Sequence, residues 1–210
     1  MAWRLALLVS TAAICAYFTF VQKLLSQNFT THNIETISEP KLKKILKWTG
    51  ISISVLVICI AALLGSMRFH DGPLEILSGG PFKTGVPSAA PEDWDFLKDR
   101  ATIEFQTMDP AQSRTVWLAA HDQRLFVVSG YMTTNYGAIW KQWPYYLEAD
   151  DRVLLRIDGK LYEQRLQRIM SGPEVIPVLN EFSRKYGDGQ ATNADSVISG
   201  YTWMFEVVDL

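Results

Sequence analysis

Cysteine and histidine are scarce in this chain of 210 residues. The two cysteines, Cys15 and Cys59, both lie in apolar runs, so residues 68–210 contain no thiol. This excludes a disulfide scaffold, a cysteine-ligated zinc site and a cysteine nucleophile from that part of the chain. The three histidines form no pair at metal-ligand spacing, and we therefore expect no metal site.

Motifs for nucleotide binding and for serine hydrolysis are missing too. Gly79-Gly80 belongs neither to a Gly-x-Gly-x-x-Gly loop nor to a Walker loop, and Ser129-Gly130 is not part of a Gly-x-Ser-x-Gly elbow. An excess of positive charge is also lacking. The 20 Lys and Arg residues face 22 Asp and Glu residues, and residues 68–210 alone carry a net charge of −6. An acidic part without a basic stripe argues against nucleic-acid binding.

Two long apolar runs are present near the N-terminus. Leu5–Val21 and Trp48–Leu64 each contain 17 residues and no charged side chain. A bilayer core needs about 17 to 25 helical residues, so both runs predict transmembrane helices. We therefore expect a membrane anchor over 1–67 and a soluble domain over 68–210. The first run also has the charged start and small residues of a cleavable signal peptide.

Lysines between the two runs predict the orientation in the membrane. Four of the five lysines of this loop lie within 41–47, whereas the N-terminal tail has only Arg4 and its amino group. Basic loops stay in the cytoplasm, which places residues 68–210 outside it. Cleavage of the first run as a signal peptide would reverse this prediction and leave the soluble domain in the cytoplasm.

The soluble part reads as strands joined by tight turns. Alternating and β-rich segments predict strands over 101–107, 114–120, 124–129, 152–158, 160–169 and 201–208. Hairpin turns are expected at 121–123 and at Asp158-Gly159. Because hairpins dominate and alternating βαβ units are absent, we expect a mainly β, α+β domain. Its architecture would be an antiparallel barrel of six or seven strands with peripheral helices.

Three helices are predicted around these strands. One runs from Pro91 to Asp99, and the second covers 138–149 with Pro144 at a start or kink. The third covers 173–186 and ends at Gly187. Its core-facing stripe is predicted to be Val175, Ile176, Leu179 and Phe182.

Basic and hydroxyl residues stand at strand and helix ends within 94–170. Arg114 opens a strand in SRTVWLAA, and the strand RLFVVSG ends in the hydroxyl of Ser129. Lys141 is predicted to open the next helix, and an apolar strand with a DGK turn follows. With this order of elements, the segment resembles the flavin-binding split barrel of the pyridoxamine 5′-phosphate oxidase-like superfamily, which includes deazaflavin-dependent nitroreductases. The resemblance implies a split β-barrel preceded by the two transmembrane helices.

The resemblance also implies a cofactor and the residues that hold it. Arg114, Ser129 and Lys141 would grip the phosphate and ring edge of FMN, or of a deazaflavin, with Thr134 and Asn135 as further donors. Trp140 would line the ring in an aromatic-rich stretch that also holds Tyr131, Tyr136, Trp143, Tyr145 and Tyr146. The i, i+3 spacing of Trp140 and Trp143, in contrast, favours core packing of a helix. A homodimer is implied as well, because split barrels commonly complete the flavin site at a two-fold interface.

Two classes of function follow. The first is a membrane-anchored, flavin-dependent oxidoreductase of the nitroreductase or quinone reductase type, whose electron-transfer or small-molecule partner the sequence does not name. The second is a non-catalytic split barrel at the membrane that binds a flavin, a heme or a protein, or that has no cofactor. Under a third interpretation of the site, Arg114 and Lys141 are ordinary surface cations on an acidic domain.

Overall fold

A computed structural model describes residues 39–75, 77–190 and 192–210 of the chain. The first apolar run, 5–21, lies outside the described residues. The elements in chain order are α1 (Glu39–Met67), β1 (Val86–Pro87), a 3-10 turn (Asp95–Leu97), β2 (Thr102–Thr107), β3 (Gln112–His121), β4 (Arg124–Ser129), α2 (Asn135–Trp140), α3 (Trp143–Tyr146), β5 (Arg152–Ile157), β6 (Lys160–Ile169), α4 (Val175–Tyr186), α5 (Asp195–Ile198) and β7 (Trp203–Val208).

Six of the strands form an antiparallel barrel, as predicted. The order is β6-β5-β2-β3-β4-β7, and the second half of β6 pairs with β7 to close the sheet. The two-residue strand β1 pairs in parallel with the start of β6, at the outside of the barrel. Closure pairs the edges that an open sheet would leave exposed.

The two tightest turns are the ones that the sequence predicts. Asp122 and Gln123 join β3 to β4 with φ of 51° and 64°, and Asp158 and Gly159 join β5 to β6 with φ of 51° and 75°. Positive φ at both central residues is typical of a type I′ turn, whose twist matches that of the flanking strands. The hairpin predictions are therefore confirmed.

Alternate residues of the strands face two different cores. The interior of the barrel is filled by large apolar side chains, among them Phe105, Leu118, Leu125, Leu155 and Phe205. Residues of the opposite parity, Ala119, Phe126 and Met204, pack outside the barrel against α4. Each fully buried large side chain contributes about 1.5–3 kcal/mol. Strand parity therefore tells which side chains point into the barrel.

The helices differ from the predictions in three places. The segment from Pro91 to Asp99 contains only a single 3-10 turn, because the backbone of Trp94 is bonded to Gln123 and its side chain is buried in the barrel core. The helix predicted over 138–149 is divided into α2 and α3. Pro144 has no backbone N–H to donate within a helix, so it is accommodated only in a first turn, and it lies in the first turn of α3.

The third difference concerns the face of α4. Its buried stripe is Val175, Val178, Leu179 and Phe182, while Ile176 is exposed. At 100° per residue, Ile176 lies to the side of the line that joins Val175 to Leu179, and Val178 takes its place. The extent of the helix and its end at Gly187 agree with the sequence prediction.

The helix α1 is the one apolar helix of membrane-spanning length among the described residues. Its 28 residues Pro40–Met67 have a mean hydropathy of 2.4 over the most apolar window, and their side chains are almost all exposed. Length and composition make it long enough to cross a bilayer. The chain divides into two compact units between Val55 and Leu56, inside α1. The domain boundary predicted between 67 and 68 stays a prediction.

Candidate functional site

One end of the barrel is covered by the segment between β4 and β5. Strand β2 ends here at Thr107 and strand β4 at Ser129. The antiparallel strands β3, β5 and β7 begin at the same end. Trp143 of the covering segment enters the barrel and packs edge-on against Phe105, with 4.9 Å between ring centroids, and against Phe205 at 5.3 Å. The segment is thereby held across the barrel end.

Arg114 places a cation at this end of the barrel. It pairs with Phe105 across β2 and β3 and has the parity of Val116 and Leu118, which face the interior. Its Nε atom is buried and has no hydrogen-bond partner. Burial lowers the pKa of the guanidinium to about 10, and the Tyr146 phenol is the nearby group that opposes this shift. Arg114 is therefore an interior cation without a carboxylate partner in the described chain.

Lys141 brings a second cation to Arg114. It closes α2 instead of opening a helix, and its backbone N–H donates to the Gly137 carbonyl at 2.8 Å. Partial burial lowers the pKa of its ammonium, and the positive charge of Arg114 lowers it further. Lys141 is therefore within electrostatic range of Arg114. Among the residues that the structure describes, no carboxylate forms an ion pair with either of them.

Ser129 supplies an unused hydroxyl at the same barrel end. Its side chain is 2% exposed, and its parity is that of Leu125 and Val127 in the interior core. The Oγ atom is buried and has no hydrogen-bond partner. A buried hydroxyl without a partner costs free energy, so an orphaned group of this kind calls for an explanation.

The contrast with other arginines of the domain is sharp. Six of them form ion pairs with carboxylates: Arg100, Arg124, Arg152, Arg156, Arg165 and Arg184. The half-buried Arg156, for example, contacts Glu104 at 2.6 Å and Asp71 at 2.9 Å. Arg114 is partly buried, with its Nε atom fully enclosed, and has no such neutralisation. Arg114 therefore differs from the paired arginines of the domain in its charge environment.

A third cation at this end was missed by the sequence analysis. The guanidinium of Arg168 lies over the ring of Trp203, 3.5 Å from its centroid. Trp203 is the strand partner of Ser129, and Arg168 is the strand partner of Phe205. The signal was present in β6, where Tyr162, Gln164, Leu166 and Arg168 share one parity, but only the pairing with β7 shows which end of the barrel they reach.

The other three predicted site residues are placed differently. The hydroxyl of Thr134 caps α2: it accepts from the Gly137 N–H at 3.1 Å and donates to the Tyr131 carbonyl at 2.7 Å. Asn135 is exposed at the first position of α2. Trp140 is 67% exposed, so the prediction that it packs in the core is wrong, whereas Trp143 is buried as that prediction requires.

A cavity of about 580 Å³ lies away from this cationic site. It is lined at the start of β2 and the end of β5 by charged groups that are already paired, Arg156 with Glu104 and Asp71, and Arg100 with Asp158. Paired charges leave little reason to recruit an ionic ligand. The unpaired charges at the opposite end of these strands are therefore the stronger candidate site.

Among known proteins, similarity to this chain is found in solved structures. No protein-family model matches the chain, and no curated protein matches it. The chain is similar to the conserved hypothetical protein Rv2991 from Mycobacterium tuberculosis, with 14% identity, a TM-score of 0.40, and coverage of 58% of this chain and 85% of that one.

Two further structures are similar at the same level. One is a FAD-binding protein, mll6688, from Mesorhizobium loti, with 13% identity, a TM-score of 0.32, and coverage of 54% of this chain and 84% of that one. The other is an F420 reductase, with 13% identity, a TM-score of 0.31, and coverage of 58% and 96%. All three TM-scores are below 0.5, and the function proposed below rests on the sequence and side chains of this chain itself.

Proposed function

We propose that Arg114, Lys141 and Ser129 bind the phosphate of FMN, and that the protein is a membrane-anchored, flavin-dependent oxidoreductase of the split-barrel type. The observation that carries the proposal is the pair of neighbouring, partly buried cations without a carboxylate. Like charges in a poorly solvated place repel each other, and an anion between them reverses the sign of that interaction. A phosphate also accepts several charge-assisted hydrogen bonds at once.

The donors of the site fit a phosphate group. Arg114 has guanidinium N–H groups to donate, Lys141 has its ammonium and Ser129 has its hydroxyl, and the two orphaned buried atoms, Arg114 Nε and Ser129 Oγ, would both gain a partner. A deazaflavin with a phosphate at the same position would satisfy the same donors.

Aromatic rings beside these donors suit the flat ring of a flavin. Tyr145 packs edge-on against Trp203 with 5.1 Å between centroids, and Tyr146 lies close enough to Arg114 to affect its pKa. Apolar walls with a few polar edges are typical of cofactor sites. When bound, the flavin supplies hydride or electron transfer, and the side chains of this chain bind and orient it.

The first test is an absorbance spectrum of the purified full-length protein in detergent, followed by titration with FMN and riboflavin. Each charge-assisted hydrogen bond is worth about 1.5–3 kcal/mol, so Lys141→Ala should weaken FMN binding roughly 10- to 100-fold. The affinity for riboflavin, which has no phosphate, should be the same in wild type and Lys141→Ala.

Lys185→Ala is the matched control. Lys185 is also partly buried with a lowered pKa, but its ammonium donates to the Leu118 carbonyl at 2.9 Å. It should leave FMN affinity unchanged. A wild-type protein that binds no flavin refutes the proposed function, and equal FMN affinity in wild type and Lys141→Ala refutes the site. A flavin that binds but reduces neither nitro compounds nor quinones would identify a binding module instead.

We further propose that a second copy of the chain covers α2. Tyr136, Ile139 and Trp140 of this helix are all more than half exposed, directly before Lys141. A contiguous exposed apolar surface of this kind typically marks an interface. Trp140→Lys should convert a dimer into a monomer in detergent, as measured by light scattering. A wild-type protein that is monomeric at micromolar concentration would contradict this proposal.

A further inference from the structure

Arg168 and Trp203 form a second cationic position beside the phosphate site. Both belong to strands that bound this end of the barrel, and Trp203 is paired with Ser129. Neighbouring strands lie about 4.8 Å apart, so the order around the rim is Arg168 on β6, Trp203 on β7, Ser129 on β4 and Arg114 on β3. The site proposed above therefore continues along the rim to a further cation.

The stacking of Arg168 on Trp203 positions its charge. A guanidinium over the face of an indole is held by cation–π attraction, which does not use its N–H donors. The Cζ atom of Arg168 lies 3.5 Å from the centroid of the Trp203 ring. The corresponding distances are longer for Arg124 over Phe126, at 5.2 Å, and for Arg156 over Phe82, at 4.3 Å.

The two comparison arginines are neutralised and Arg168 is not. Arg124 contacts Glu206 at 3.3 Å, and Arg156 contacts Glu104 and Asp71. Arg168 forms no ion pair or hydrogen bond with any described residue of the chain. Arg168, the arginine nearest to an aromatic ring, therefore keeps its N–H donors available beside the proposed phosphate site.

We propose that Arg168, positioned by Trp203, binds a second anionic group of the ligand assembly, separate from the phosphate held by Arg114 and Lys141. This inference rests on the proposed flavin function and adds a ligand class to it: a phosphate or carboxylate. That group has two possible sources. It belongs either to a cofactor with more than one anionic group, such as a flavin dinucleotide, or to an anionic substrate that binds beside FMN.

The test measures affinities, so it does not depend on turnover. Full-length wild type, Arg168→Gln and Arg124→Gln are titrated with FAD, FMN and riboflavin by tryptophan and flavin fluorescence. In a second arm, the FMN-loaded proteins are titrated with inorganic phosphate and pyrophosphate by calorimetry. Trp203→Leu is added because loss of the ring beneath the cation should lower the affinity for the second anion as Arg168→Gln does. Since Trp203 also lies beside the proposed flavin ring, this loss is judged relative to the FMN affinity of the same variant.

If the second anionic group belongs to the cofactor, wild type should bind FAD more tightly than FMN. Arg168→Gln should then lower FAD affinity about five- to tenfold and change FMN affinity less than about twofold. A substrate source predicts instead that FMN-loaded wild type binds phosphate or pyrophosphate, and that Arg168→Gln weakens this binding by about the same factor. Arg124→Gln should change neither.

The outcomes separate the two proposals. Flavin binding that is insensitive to Arg168 in both arms overturns the second anion position and leaves the proposed function standing. Absence of any flavin binding by the wild-type protein overturns the proposed function itself. Equal losses for Arg168→Gln and Arg124→Gln would show a general effect of surface charge, which also overturns the inference.

Discussion

Replacing Arg114 by methionine should stabilise the ligand-free protein and abolish its affinity for a phosphate. Holding the guanidinium pKa down to about 10 corresponds to about 3 kcal/mol of free energy spent on keeping the charge in the folded state. The side chain is partly exposed, which lowers this cost, and methionine keeps the apolar stem while removing the charge. We therefore expect Arg114→Met to raise the free energy of unfolding by about 1–3 kcal/mol.

The assay is urea unfolding of the full-length protein in detergent, followed by the fluorescence of buried tryptophans such as Trp143. Arg156→Met is the control, because the half-buried Arg156 lies between Glu104 and Asp71 and its removal leaves two carboxylates without their cation. It should lower the free energy of unfolding. A cation kept for the fold and a cation kept for a ligand should therefore change the free energy of unfolding in opposite directions when they are replaced.

Ligand linkage provides the second half of the experiment. An anion that binds only the folded wild type adds about 2.7 kcal/mol at a concentration of 100 Kd, and Arg114→Met should lose this gain. A loss of stability in Arg114→Met of more than about 1 kcal/mol without ligand would refute the reasoning, since it would assign Arg114 a structural role. Unchanged stabilisation of that variant by FMN would refute the assigned site.

Three other predictions follow from the described residues. FMN affinity, measured between pH 7 and 9 so that Arg114 with its pKa of about 10 stays largely protonated, should fall as Lys141 loses its proton at its lowered pKa. Lys141→Arg should weaken this dependence, and a wild type with constant affinity would contradict the assignment. Gly137→Ala should lower the melting temperature and FMN affinity together, because its Cβ would lie 2.0 Å from the Tyr131 carbonyl oxygen, whereas Gly130→Ala, with open space around it, should cost far less. A reporter fused after Leu210 should be active outside the cytoplasm, as the lysines of 41–47 predict, and activity only in the cytoplasm would reverse the orientation.

Local chemistry explains why much of the fold was predictable. Alternating residues predict strands, and Asp158-Gly159 predicts a tight turn because both residues tolerate positive φ. The same holds for the end of α4 and for the apolar run of α1. The helix bounds between β4 and β5 were less predictable from periodicity. Thr134 caps α2, so this helix begins at Asn135, and the burial of Trp143 in the barrel core fixes the start of α3.

The residue types of the site can be read from the sequence alone: Arg114 at a strand start, a hydroxyl at Ser129 and a lysine at Lys141. Strand pairing was needed to show that Arg114 faces the interior without a carboxylate and that Arg168 reaches this end of the barrel. The folded chain also brings Lys141 within electrostatic range of Arg114, whose charge lowers the pKa of Lys141. Closure of the barrel brings β6 beside β7 and so sets residues of distant sequence on one rim. Periodicity predicts the face on which a side chain lies, whereas its charge environment depends on neighbours that only long-range pairing supplies.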